Sequence, residues 1–122
     1  MPFAALTYDI RPGCEDEVAE VFAGFRRVGS PSVPGTGASP AARLLATAVF
    51  LRDATLVRVI EYEGDLDAVA RHMACQPSVQ EVERRLKPYL NSPRDTDTPE
   101  GFVRTFHQSL LRCITHLGAP RD

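Results

Sequence analysis

The chain has 122 residues, of which 43% are apolar and 25% charged, enough to close one core without metal or disulfide staples. Its formal net charge of −2 argues against a general nucleic-acid binder, which needs a basic face. No run approaches the roughly eighteen apolar residues of a membrane span, and the start, MPFAALTYDIRPG, alternates like a strand where a leader would be basic and then apolar.

FAALTYDI (3–10) predicts a first strand, with Ala4, Leu6, Tyr8 and Ile10 on one side and Phe3, Ala5, Thr7 and Asp9 on the other. RPG breaks it, and CEDEVAEVFAGFRRVG (14–29) predicts a helix. Glu15, Asp16 and Glu17 complement the positive end of the helix dipole, Arg26 and Arg27 the negative end, and Gly29 is the expected stop. Val18, Val21, Phe22 and Phe25 form its apolar stripe. GSPSVPGTGASPAA (29–42), with three prolines and three glycines, is too broken for helix or strand; a flexible loop of this length is expected to serve as a lid over a pocket.

LLATAVFL (44–51) and TLVRVIEY (55–62) predict a β-hairpin, because only RDA separates them. GDLDAVARHMAC (64–75) predicts a helix capped by Asp65, with Leu66, Val69, Ala70 and Met73 inward. PSVQEVERRLKPYL (77–90) starts a second helical piece on Pro77, with Val79, Val82 and Leu86 as its stripe. TPEGFVRTFHQSL (98–110) opens with a threonine cap and a proline and places Phe102, Val103, Phe106 and Leu110 together. LLRCITHL (110–117) reads as a last strand; the rival is a helix continued to the end.

The order β-α-β-β-α-(α)-β predicts a single α+β domain over 1–122, a ferredoxin-like antiparallel sheet with helices on one face. Both alternating sets of the strands are rich in aliphatic residues, so the other sheet face is apolar too. A homodimer that closes two sheets into an α+β barrel is the simplest way to cover it. Cys14, Cys75 and Cys113 are odd in number and form no C-x-x-C pair, which fits reduced thiols in the cytoplasm. The C-x-x-H spacing of Cys113 and His116 stands alone and is a poor metal site.

MPFAALTYDIRPGCEDEVAEVFAGFRR, LLATAVFLRDATLVRVIEYEGDLDAVARHMACQPSVQEVERRLKPYL and RDTDTPEGFVRTFHQSLLRCITHL resemble the SchA/CurD-like proteins that accompany aromatic (type II) polyketide synthases, including those of spore-pigment clusters. LVRVIEYEGDLDAV and QPSVQEVERRLKPYL are more distantly similar to polyketide cyclases of tetracenomycin type, and at fold level to cofactor-independent monooxygenases of anthrones. The resemblance implies a dimeric α+β barrel and an aromatic polyketide substrate, free or held on a carrier protein, and leaves cyclisation, oxygenation and a non-catalytic accessory role beside other synthase subunits open. Two departures stand out: Phe25-Arg26 occupies the place of a His-Asp pair typical of the cyclases, and the chain has no tryptophan, which the monooxygenases often use.

VRVIEYEGDLDAVARHMACQP (57–77) concentrates the residues able to do chemistry. Arg58, mid-strand among apolar neighbours, either pairs with a carboxylate or holds an enolate or phenolate oxygen. His72 stands about 60° from the apolar stripe of its helix and is the first candidate for the base that deprotonates a methylene between two ketones. Tyr62 shares the face of Arg58, while alternation sends Glu61 to the opposite one. Tyr8, Arg26 at a pocket mouth, and Arg112 with His116 on the last strand complete the candidate substrate-binding set. No nucleotide-binding glycine motif or Ser/His/Asp set is visible, so no cofactor is expected.

Overall fold

Alternation at the start of the chain becomes strand β1 (Phe3–Asp9), with Ala4, Leu6 and Tyr8 buried. A computed structural model describes residues 2–24, 32–33 and 42–118. Helix α1 (Glu15–Ala23) carries its three acidic residues in the first turn and buries Val18 and Val21. It stops at Gly24, earlier than the expected Gly29, because the first glycine already disfavours another helical turn. Arg26, Arg27 and Gly29 lie outside the described residues.

The segment read as unbroken loop contains a short strand, β2 (Ser32–Val33), paired antiparallel with Arg43 and Ala42. Backbone pairing with a neighbour outweighs the weak local propensity there. The rest of the expected lid, residues 29–31 and 34–41, falls outside the described residues. Strands β3 (Ala42–Arg52) and β4 (Thr55–Gly64) form the predicted hairpin, and Asp53 turns it with φ of 52°. Leu45 is an extra residue in β3: the register with β4 shifts between Leu44 and Ala46.

The sheet order is β1-β4-β3-β2, antiparallel throughout. Helix α2 (Leu66–Ala74) begins at Asp65, whose carboxylate accepts the Asp67 N–H at 3.3 Å. Helix α3 (Pro77–Leu86) opens on Pro77 and ends in a 3₁₀ turn, Lys87–Tyr89. Helix α4 (Pro99–Ser109) is capped by Thr98, whose hydroxyl accepts the Gly101 N–H at 3.0 Å. The core is one layer between sheet and helices, built around Leu6, Leu56, Ile60, Val69, Met73 and Phe106. This is the predicted α+β architecture, with the helices on a single face of the sheet.

The opposite sheet face is apolar and carries no helix among the described residues. The register places Phe3 and Ala5, Val57 and Val59, and Ala48 and Phe50 together there; Phe3 is 46% and Phe50 61% exposed. The C-terminal segment corrects the sequence expectation. Leu110 makes one antiparallel bridge to Leu6, and the Leu111 N–H donates to Ala5 O at 2.8 Å. Beyond that, 111–118 is exposed and neither strand nor helix. Alternation alone cannot hold a strand at a sheet edge when its large apolar residues find no surface to cover.

Candidate functional site

Helix α1 and strand β3 do not meet along their full length. Between them lies a cleft of about 450 Å³, walled by Val18, Phe22, Val49, Leu51 and Leu56, with Thr47 as its hydroxyl. Alternation along β4 points Leu56, Arg58 and Ile60 to the helix side, so Arg58 is 1% exposed and lies across from Val49 on β3. Its Nε donates to Thr47 Oγ1 at 3.3 Å. The guanidinium thus sits one strand in from the cleft, linked to it through the threonine.

On the far side of Arg58 is Tyr8 of β1, within side-chain hydrogen-bonding reach of it. The Tyr8 hydroxyl donates to Glu83 Oε1 of α3 at 3.3 Å. Glu83 is 2% exposed and its carboxylate is ion-paired with Arg94 Nη2 at 3.4 Å. Arg94 Nη1 donates to Ser109 Oγ at 3.0 Å, and its guanidinium lies over the Tyr8 ring. Glu83 Oε2 and Arg94 Nε are buried without a hydrogen-bond partner among the described residues. Burial, and then the neighbouring Glu83 carboxylate, push the Tyr8 pKa above its usual value despite the opposing pull of the two arginines, so the phenol stays protonated.

Two guanidiniums and one carboxylate therefore flank one neutral phenol. A preorganised cation beside an apolar cleft suits a reaction that develops negative charge on oxygen.

The remaining candidates are dispersed. His72, half-buried on α2, has its Nε2 3.4 Å from Nε2 of Gln76, the residue before α3, and is not among the residues walling the cleft. Tyr62 is half-buried on the Arg58 face, packed against the core opposite Leu44. Glu61, as alternation required, faces the other side, across from Phe3 and Ala46. Arg112 and His116 are exposed in the C-terminal segment, with the His116 ring edge-on to Phe3 at 4.9 Å. Arg26 lies outside the described residues.

Sequence reasoning passed over Glu83 and Arg94. Glu83 was detectable: it falls four residues after Val79 and three before Leu86, so a carboxylate occupies the buried stripe of its helix. Arg94 carries no such signal in the connector NSPRDTD.

The sequence profile of the SchA/CurD like domain matches residues 1–119. The chain belongs to the SchA/CurD-like family. Among its relatives are the polyketide synthase CurD of Streptomyces cyaneus, 36% identical over 113 residues, and a 42.8 kDa protein of the whiE locus of Streptomyces coelicolor, 36% identical over 116 residues. Protein SchA of Streptomyces halstedii is 32% identical over 117 residues. These matches cover 93%, 95% and 96% of this chain and 29%, 28% and 29% of the relatives, so the SchA/CurD-like domain spans under a third of their length. Among solved structures, tetracenomycin F2 cyclase of Streptomyces glaucescens, a type II polyketide cyclase, superposes with a TM-score of 0.55 at 20% identity, covering 98% of this chain and 100% of that one. At that identity the likeness is one of fold. No helix among the described residues is long and apolar enough to cross a membrane.

Proposed function

We propose that this domain is an aromatic polyketide cyclase or tailoring enzyme that acts on a poly-β-ketone or early aromatic intermediate of a type II polyketide synthase. The observation that carries the reading is Arg58, buried one strand in from an apolar cleft and bonded to Thr47 in its wall. The CurD name and the tetracenomycin cyclase fold support the same chemistry. The apolar walls hold the carbon chain, free or on a carrier-protein thioester, in a folded conformation. Arg58 steadies the oxygen of an enolate formed between two ketones, whose carbon then attacks a second carbonyl. Loss of water from the adduct makes the ring aromatic.

The test is reconstitution of a type II polyketide synthase with and without this chain, in air and under nitrogen. The expected result is a change in cyclised product that is the same in both atmospheres. An unchanged product profile would reject the enzymatic reading in favour of an accessory subunit, and an effect seen only in air would reassign the protein as a cofactor-free monooxygenase.

A further inference from the structure

We propose that the Thr47 hydroxyl is the group of this cleft that recognises a ligand oxygen, donating its hydrogen to a ketone or enolate oxygen while the Arg58 guanidinium holds it from behind. The inference rests on the reading of the cleft as a site for a β-ketone substrate and names the side chain that meets that substrate's oxygen.

The walls decide which side chain can make the contact. Apart from Thr47, the side chains lining the cleft are aliphatic or aromatic. In a site of that kind a few polar groups fix how a ligand is oriented. Arg58 is 1% exposed and does not line the cleft, so its guanidinium does not touch a ligand held there. Thr47 lines the cleft and is exposed on β3.

The bond between the two residues sets which part of the hydroxyl is offered. A threonine hydroxyl has one hydrogen to give and two lone pairs to accept with. Arg58 Nε donates to Oγ1 at 3.3 Å, which uses one lone pair. A guanidinium only donates and keeps its charge, so the direction of this bond is fixed. The Thr47 hydrogen is given to no acceptor among the described residues. A β-branched side chain has few rotamers, and the bond to Arg58 selects among them. Accepting from a cation also makes the hydroxyl a stronger donor. The cleft therefore presents one polarised O–H from an apolar wall. That group fits an oxygen that accepts, a ketone or the enolate it becomes, and its hold tightens as negative charge builds there. Thr47 is the contact, and Arg58 is a positioning residue that acts through it.

Two bicyclic probes of nearly one shape separate this contact from simple burial: 1-tetralone, which has a ketone oxygen, and tetralin, which lacks it. Calorimetry should show that Thr47→Val, which keeps the shape and removes the hydroxyl, weakens 1-tetralone about tenfold, the scale of one hydrogen bond assisted by a charge. Tetralin should bind Thr47→Val as it binds the intact chain, and Thr47→Ser should bind both probes as the intact chain does. The infrared carbonyl stretch of bound 1-tetralone is a readout that packing alone does not move. It should fall in frequency on the intact chain and on Thr47→Ser, and return to its apolar-solvent position on Thr47→Val. If circular dichroism shows Thr47→Val unfolded, the stretch on the intact chain decides. An unshifted stretch there would overturn the inference, as would equal effects of Thr47→Val on the two probes or an intact chain that binds neither. Product profiling of the reconstituted synthase is scored separately. An intact chain that changes the products while Thr47→Val binds 1-tetralone normally sinks this inference alone, whereas an intact chain without effect on products sinks the parent reading.

Discussion

The guanidinium carbon of Arg94 lies 3.9 Å from the centroid of the Tyr8 ring while the same guanidinium is paired with Glu83. One cation thus clamps both the ring and the carboxylate to which that ring's hydroxyl donates. Arg94 comes from the connector before α4, Tyr8 from β1 and Glu83 from α3, so three distant parts of the chain are tied at one point.

That tie gives a stability prediction. Arg94→Ala leaves the Glu83 charge buried without its ion partner, and urea unfolding should show a loss of about 3–5 kcal/mol. Tyr8→Phe removes one neutral hydroxyl and should cost about 1 kcal/mol. Equal losses in the two variants would mean that the ion pair is not the element that matters.

Cleft occupancy can be tested from its wall. Ala19 lies on the exposed side of α1 and lines the cleft. Ala19→Trp should weaken binding of a planar polyphenol at least about tenfold by filling the space, while unfolding shifts by no more than about 0.5 kcal/mol, as for other surface changes. Unchanged affinity, measured by calorimetry, would place the ligand elsewhere.

A third prediction concerns acid. Asp67 of α2 accepts from His107 Nε2 of α4 at 3.0 Å and from Arg71 Nε at 2.7 Å. The hydrogen bond to His107, then that to Arg71, hold its pKa below the ordinary 3.8. A depressed folded-state pKa stabilises above the unfolded value and is lost as pH falls through the folded value. The stability advantage over Asp67→Asn should therefore be full above about pH 5 and vanish progressively below pH 3.8. A pH-independent difference between the two proteins would contradict this. The contact is exposed, so high salt should weaken it.

The apolar sheet face, helix-free among the described residues, leads us to propose a homodimer built sheet to sheet. Sedimentation at micromolar concentration should give twice 13.4 kDa, and Phe50→Lys should return the monomer. A native chain that sediments as a monomer would remove the proposal.

Much of this fold was legible because its signals are local. The Asp65 and Thr98 caps, the Pro77 start and the hairpin at Asp53 each depend on a few adjacent residues. The alternation that separated Arg58 from Glu61 is equally local. What misled was non-local. Residues 111–118 alternate like a strand, yet pairing needs a neighbour and a surface, and only Leu110 and Leu111 bond to β1. The chemistry of 57–77 was half legible: Arg58 is in the buried layer, but its bond partner Thr47 comes from β3, and the Arg94 that pairs with Glu83 comes from a connector that no periodicity marks.

The extra residue at Leu45 has a bearing on the cleft itself. A strand has two parities, and an insertion of one exchanges them. Before Leu45, the even-numbered Ala42 and Leu44 face the helices; after it, Thr47, Val49 and Leu51 do. Were the phase unbroken, Ala46, Ala48 and Phe50 would point inward, and the aromatic ring of Phe50 would be aimed at the space where the cleft now opens. Arg58 would then lie across from Ala48, with no hydroxyl from Thr47 to bond. The bulge thus both empties the cavity and supplies its polar wall: deleting Leu45 would keep both, because Ala46 would follow Leu44 in the same pairing with β4, whereas drawing Leu45 into the ladder would turn Thr47 and Val49 away from the helices and close the site.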